Sequence, residues 1–409
     1  MTKPSIVRTV AALALVAGAA AFSVPAGTAS FDPTAVILRS FTATKVKGAK
    51  RPTILVRWRT GTEQNLVGFN VFREGTGGTT AVLTGVSCPT STICTAVGAG
   101  GTIRSWNGTS WRAVSSGTSV AINDVGCASA TLCKAVANGG LVLSWNGARW
   151  TRENSGTTRT LRGVACPTTT LCKAVGDGGT ILSWAGTGWA ADASGTTGAL
   201  RGVACASSAL CKAVGDAGTV LSWAGTSWIP ESSGTSSHLR GASCPTTTLC
   251  KAVGLGGAIL SWDGSAWTAE SSGTPRNLSD VRCASATLCK AVGDGGTILF
   301  WAGSTWAAEA SGTAAALGGV SCTGTVCVAV GAAGTVLIWN GASWLAGETG
   351  TRVRANRALV VAKRSTRGAS YSFRDVLPKG VRPATIKRYW LQAIHTDATR
   401  VWVKDTPVR

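Results

Sequence analysis

Residues 161–199 read LRGVACPTTTLCKAVGDGGTILSWAGTGWAADASGTTGA. Four short apolar stretches stand out: LRGVAC, CKAVG, TILSW and the segment around Trp189. Between them lie PTTTL, DGG, AGTG and SGTTGA, all rich in turn residues. No apolar run has helical length and period, so the unit reads as all-β. The unit also recurs. The first cysteines of successive pairs are Cys88, Cys127, Cys166, Cys205, Cys244, Cys283 and Cys322, 39 residues apart at every step. Their partners are Cys94, Cys133, Cys172, Cys211, Cys250, Cys289 and Cys327. Four strands per unit, repeated seven times, predict a seven-bladed β-propeller over residues 81–350. A β-solenoid is the competing repeat architecture, but its coils are shorter and lack four turns per repeat.

Each unit carries three features with a physical reason. The cysteine pair flanks a five-residue turn between the first two strands, except in the last unit, where the turn is one residue shorter. That spacing sets the two Cβ atoms across a hairpin, within reach of a disulfide. Reading the same pairs as seven redox or metal sites finds no histidine beside them to complete a zinc site. The second feature is a tryptophan pair, Trp106/Trp111 in the first unit and Trp339/Trp344 in the last. Fourteen of the 17 tryptophans fall in such pairs. They bracket hairpin dipeptides such as Asn107-Gly108 and Asp263-Gly264. A residue needed in every blade points to packing between blades. The other reading is a ring of aromatic platforms for sugars. The third feature is a Gly-Gly turn, as at Gly178-Gly179, with neither the Lys-Ser/Thr nor the helix of a phosphate loop.

The repeat resembles that of the photosystem II stability/assembly-factor-like propellers, on the string V-G-D-G-G-T-I-L, then a turn and Trp, then S-G-T. That family is allied to the Asp-box repeats of sialidases, and Ser261-Trp262-Asp263-Gly264-Ser265-Ala266-Trp267 is similar to a shortened Asp-box turn. This chain departs from the family by adding a cysteine pair to every unit. Residues 31–80 and 346–409 lack the repeat. Strands are expected at 35–46, 53–59 and 67–73, then at 358–362, 370–373, 387–394 and 401–404. Seven strands in 114 residues match an immunoglobulin-like sandwich. The pieces resemble a fibronectin type III domain, with Trp58 at the core position and Tyr389-Trp390-Leu391-Gln392-Ala393 similar to the strand of the tyrosine corner. The expected organisation is a sandwich in two parts, 31–80 and 351–409, with the propeller inserted between its third and fourth strands. A closed propeller brings its ends together, which permits such insertion. Two unrelated tails are the other possibility.

Residues 1–30 read as a signal peptide. Lys3 and Arg8 form a basic start, and residues 9–22 are an apolar run of 14, short for a membrane span. Val24-Pro25-Ala26 and Gly27-Thr28-Ala29 offer cleavage sites; an uncleaved anchor is the alternative. No cysteine precedes Cys88 to carry a lipid, and the sequence ends without an apolar tail. Export to the periplasm, cell surface or medium fits a disulfide-rich chain, and no transmembrane span is expected after cleavage.

The chain has 409 residues and a formal charge of +21. The repeat region carries 15 basic and 11 acidic residues, whereas residues 31–80 carry 8 and 3, and residues 346–409 carry 14 and 4. The flanks are therefore strongly basic. Such a face attracts polyanions, or is simply a solvated surface. Within the repeats, Arg162, Arg201 and Arg240 share one position in three consecutive units, so they form an arc on one face. Partner binding in the propeller family is associated with an arginine-rich face, which this arc resembles, and the three arginines are the expected binding residues; ordinary solvated strand ends are the other reading. Lys134, Lys173, Lys212, Lys251 and Lys290 share another position.

Function classes narrow by inventory. Two histidines, His238 and His395, leave little for a metal site or a triad base. A sialidase needs a tyrosine nucleophile, and no tyrosine lies between residues 81 and 350. Asp177, Asp216 and Asp294 recur in the Gly-Gly turn but give way to Ala99, Asn138, Leu255 and Ala332, so they read as turn formers. No catalytic, cofactor or metal site is expected. Two classes remain: a non-catalytic scaffold that docks a protein partner on a propeller face, and a surface module for carbohydrate or other polyanions such as anionic glycans. An exported glycoside hydrolase would need a carboxylate pair in the channel, which the pattern does not locate. No specific nucleic-acid motif is present, and a monomer is expected.

Overall fold

A computed structural model describes residues 37–408, apart from residues 50, 64–65, 76–78, 109, 348–351, 356–359, 364–366, 368, 378–385 and 396–399. The expected signal peptide lies outside the described residues. Everything described is strand, turn or single 3-10 turns. No helix among the described residues is long and apolar enough to cross a membrane.

Seven four-stranded antiparallel sheets follow one another along the repeats, each built from four consecutive strands. We number them sheets 1 to 7. Their innermost strands are Leu83–Thr90, Ile122–Cys127, Leu161–Thr168, Leu200–Cys205, Leu239–Thr246, Leu278–Ser285 and Leu317–Thr323. Each innermost strand touches its two neighbours, and that of sheet 7 touches that of sheet 1, so the sheets close into a ring. Close approach requires glycine at some of these positions: a Cβ on Gly202 would sit 2.6 Å from the Arg240 carbonyl oxygen. The cores between sheets are apolar, as around Val175, Ile181, Leu200, Val203 and Leu221.

The strand directions give the ring two different ends. Leu161 pairs with Gly176, so the start of the innermost strand and the Asp177–Gly179 turn share one end. That turn needs the left-handed region, with φ of 68° at Gly179, where a Cβ would meet the Thr196 carbonyl oxygen at 1.8 Å. The opposite end carries the disulfide hairpins and the tryptophan turns. Cys205 and Cys211 are register partners, 3.9 Å apart at Cα. All seven bonds lie within a unit: Cys88–Cys94, Cys127–Cys133, Cys166–Cys172, Cys205–Cys211, Cys244–Cys250, Cys283–Cys289 and Cys322–Cys327.

The flanking segments form two sheets. Ile37–Lys45, Thr53–Thr62 and Ser370–Val376 make one. The other orders Arg352–Arg354, Leu66–Gly75, Ile386–His395 and Arg400–Pro407, with Val360–Val361 also pairing with Leu66–Gly75. Both sheets therefore combine chain from before and after the ring. They share one core, in which Trp58 stacks on Tyr371 at 5.3 Å and meets Phe69 edge-on at 5.5 Å. The short Arg352–Arg354 strand lies outside the expected segments, because three residues are too few for an alternating pattern to register. The Tyr389 hydroxyl donates to Asp375 Oδ2 at 2.6 Å, and Arg73 Nη1 donates to Asp375 Oδ1 at 2.6 Å. A side-chain carboxylate thus takes the tyrosine bond that a tyrosine corner gives to backbone.

Candidate functional site

One position of the repeat, the residue after the leucine or isoleucine that opens each innermost strand, runs Thr84, Asn123, Arg162, Arg201, Arg240, Ser279 and Gly318. All except Gly318 are polar, and all seven line a cavity of about 380 Å³ at the end of the ring that carries the Gly-Gly turns. Arg162, Arg201 and Arg240 stand together on its wall, but in different states. The guanidinium of Arg162 grips Asp177 through Nε to Oδ1, and through Nη2 to Oδ2 at 3.0 Å. Arg201 grips Asp216 in the same way, with His238 Nδ1 2.8 Å from Asp216 Oδ1. Arg201, with His238, holds the Asp216 carboxyl down to about 2. Asp177 and Asp216 are thus more than turn formers: each neutralises the arginine of its own sheet. In the fifth sheet Leu255 replaces the aspartate, and among the described residues Arg240 has no acidic partner.

One residue deeper, the ring is glycine except at Asp124 and Asp280. Each carboxylate stitches two sheets together. Asp124 accepts from Val125 N at 2.8 Å and from Val164 N of the next sheet at 2.9 Å. Asp280 accepts from Val281 N and Val320 N at the same distances. Burial in the channel wall strips water from the Asp124 carboxyl and pushes it up to about 7, and the Asp280 charge adds to that rise. The same desolvation raises Asp280 to about 6, opposed first by the Arg282 charge. Arg282 lines the cavity with its Nε buried and, among the described residues, without a hydrogen-bond partner. The channel therefore holds two acids that the sequence pattern did not locate. Their being the only non-glycines at a shared ring position was the available signal.

The shared lysines are not surface charges. Lys134, Lys173, Lys212, Lys251 and Lys290 are at most 1% exposed. Each ammonium meets an acid on the outer strand of its own sheet at 2.5–2.9 Å: Glu153, Asp192, Glu231, Glu270 and Glu309. It also sits 3.3–4.0 Å over the first tryptophan of the next sheet. The second tryptophan of that next sheet donates Nε1 to the same acid at 2.8–3.0 Å. The paired tryptophans are interface packing, with Trp111, Trp228, Trp267, Trp306 and Trp344 buried. Among the described residues no group of three or more metal-binding side chains converges.

A ring of radial four-stranded sheets closed on itself is the β-propeller architecture, and solved structures agree. The structure titled YCF48 bound to D1 peptide matches with a TM-score of 0.55 at 16% identity, covering 68% of this chain and 98% of that chain. YCF48 from Cyanidioschyzon merolae matches with a TM-score of 0.53 at 17% identity, covering 64% and 96%. The WD40 repeats of RRP9 match with a TM-score of 0.56 at 14% identity, covering 68% and 98%. At such identities the likeness establishes the fold alone. No protein-family model and no curated protein matches the sequence.

Proposed function

We propose that this protein is an exported, non-catalytic binding scaffold, a seven-bladed propeller set into a fibronectin type III-like sandwich. The channel mouth docks an acidic segment of a protein partner. The observation that carries the reading is Arg240, a cation without an acid among the described residues, beside Arg162 and Arg201 on the wall of a cavity of about 380 Å³. Two of the three arginines are pre-oriented by aspartates, and the third is available for a carboxylate on the partner. Propellers that bind proteins, such as the one titled as bound to a D1 peptide, support the reading by analogy. Seven disulfides fit an oxidising compartment.

The test is a pull-down from the envelope and medium of the host with the disulfide-bonded protein, at low and high salt. A protein retained at high salt and lost with Arg240→Glu supports docking at the mouth. A second reading rests on the basic flanks, with 22 basic and 7 acidic residues in residues 31–80 and 346–409 together. Under it the bait recovers anionic glycan or other polyanions, released by salt and indifferent to Arg240→Glu. That outcome would transfer the function from the propeller to the sandwich.

A further inference from the structure

Five of the seven sheet-to-sheet interfaces bury the same set of groups: a lysine, an acid and two tryptophans. The two interfaces that lack the lysine and acid are those either side of sheet 1. Val328 and Gly347 stand at these positions in sheet 7, and Val328 packs with Trp106, Trp111 and Ile338 to fill the space. In sheet 1 the positions hold Thr95 and Val114, and here a cavity of about 200 Å³ lies between sheets 1 and 2. That is ample for more than a single water.

What remains around this cavity is the receiving half of the repeated network. Trp145 corresponds to the rings that lie under the lysine ammonium elsewhere. Ser105 corresponds to Ser144, Ser183, Ser222 and Ser261, which take the lysine Nζ at 2.5–3.0 Å. Trp150 corresponds to the tryptophans whose Nε1 donates to the acid. All three line the cavity, and among the described residues neither Ser105 Oγ nor Trp150 Nε1 has a hydrogen-bond partner. One charge is added: Arg112, exposed and also lining the cavity, stands where the other sheets carry Thr151, Ala190, Ile229, Thr268, Ala307 and Leu345.

We infer that the cavity between sheets 1 and 2 binds a small zwitterion, of the free amino-acid class, whose ammonium and carboxylate replace the missing lysine and acid. The ammonium lies over the Trp145 face and donates to Ser105 Oγ, as the lysines do in their own sheets. The carboxylate accepts from Trp150 Nε1 and faces Arg112. In the sibling interfaces the two charges touch at 2.5–2.9 Å, so the ligand has them close together, as α-amino acids and short ω-amino acids do. Asn107 and Gly147, both exposed, mark the rim at the tryptophan-turn end of the ring. This site is separate from the arginine mouth, and the inference is independent of the partner proposed there.

The experiment is calorimetric and tryptophan-fluorescence titration of the full disulfide-bonded chain with glycine, β-alanine and γ-aminobutyrate. Ethylamine and acetate serve as single-charge controls. The expected result is saturable binding of at least one zwitterion, at least tenfold tighter than either control. Trp150→Phe, which removes the N–H and keeps an aromatic ring, is expected to weaken binding about tenfold or more. The double variant Thr95→Lys/Val114→Glu installs the sibling pair and is expected to abolish binding while raising the melting temperature. The inference is overturned by absence of saturable binding to every zwitterion, by controls that bind as tightly, or by binding that survives both variants.

Discussion

Lys212 Nζ lies 2.6 Å from Glu231 Oε1 while the lysine side chain is wholly buried and the glutamate keeps about a quarter of its surface. The pair is closed by its neighbour sheet: Trp262 lies under the ammonium at 3.8 Å, and Trp267 donates Nε1 to Glu231 Oε2 at 2.9 Å. A charge with no water around it is tolerated only because its counter-ion and a ring face replace the hydration. Four further interfaces repeat the arrangement, so its energetics are a property of the blade.

Removing one partner should therefore cost far more than removing both. Glu231→Ala leaves Lys212 buried and unpaired, and we expect a loss of about 3–5 kcal/mol in urea unfolding. Lys212→Met with Glu231→Leu should recover most of it, since sheets 1 and 7 hold uncharged residues at both positions. Equal losses for the single and double variants would show that the network contributes packing and not charge compensation.

Acid and base act on different carboxylates. Asp124 and Asp280 have their pKa raised to about 7 and about 6, above the unfolded value of about 3.9. The folded state then binds more protons than the unfolded one in that window, so stability is full below about pH 4 and falls as pH rises towards 7. Asp216, held down to about 2, acts in the opposite sense: its contribution is present above about pH 4 and lost as pH falls through 2. The expected outcome is greater stability at about pH 5 than at about pH 8. The slope should flatten in an Asp124→Asn/Asp280→Asn variant. Urea midpoints across that range measure it, and an unchanged slope in the double variant would assign the dependence to other groups.

The repeat was legible because a 39-residue period carries its own strand pattern, and the cysteine and tryptophan positions follow from it. The shared ring position of Arg162, Arg201 and Arg240 was legible for the same reason. The pairing of Arg162 with Asp177 was not, because those residues are 15 apart and meet only once the Gly-Gly turn returns the chain to the strand's starting end. The lysine positions are visible in the repeat, whereas their acids, 19 residues further on, meet them only across the folded sheet. The signal was co-occurrence, as lysine and acid appear together in five repeats and vanish together in two. The cavity above Trp145 depends on which side chains fill a gap, and no periodicity encodes that.

Ring closure is expected to draw on the flanks as well as on direct contact between sheets 7 and 1. Among the described residues no strand from one end of the repeats is built into the sheet at the other end. Sheets 7 and 1 meet through bonds such as Thr323 Oγ1 to the Cys88 carbonyl and Cys88 N to Ser321 Oγ. In the flanks, Leu66–Gly75 pairs with Arg352–Arg354, so the last described strand before the ring is tied to the first described strand after it. Replacing residues 352–354 with glycine weakens that strand. Hydrogen exchange should then quicken in sheets 1 and 7 and stay unchanged in sheet 4. Uniform quickening, or none, would mean the junction holds without the flanking pair.

The disulfides close short loops, with six sequence steps between cysteines in six bonds and five in the last. Loop entropy for such spans is about 2 kcal/mol each, and the hairpins are already held by ladder bonds on both sides. Cys205→Ser/Cys211→Ser should lower stability by about 2 kcal/mol or less, because its sheet keeps the Lys212–Glu231 pair. Sheet 7 has no such pair and meets sheet 1 without a shared strand. Cys322→Ser/Cys327→Ser should therefore loosen the ring at that junction, detected as faster exchange in sheets 7 and 1 at an unchanged circular-dichroism spectrum. Identical exchange patterns in the two variants would show that the bonds act on each sheet alone and have no part in holding the ring closed.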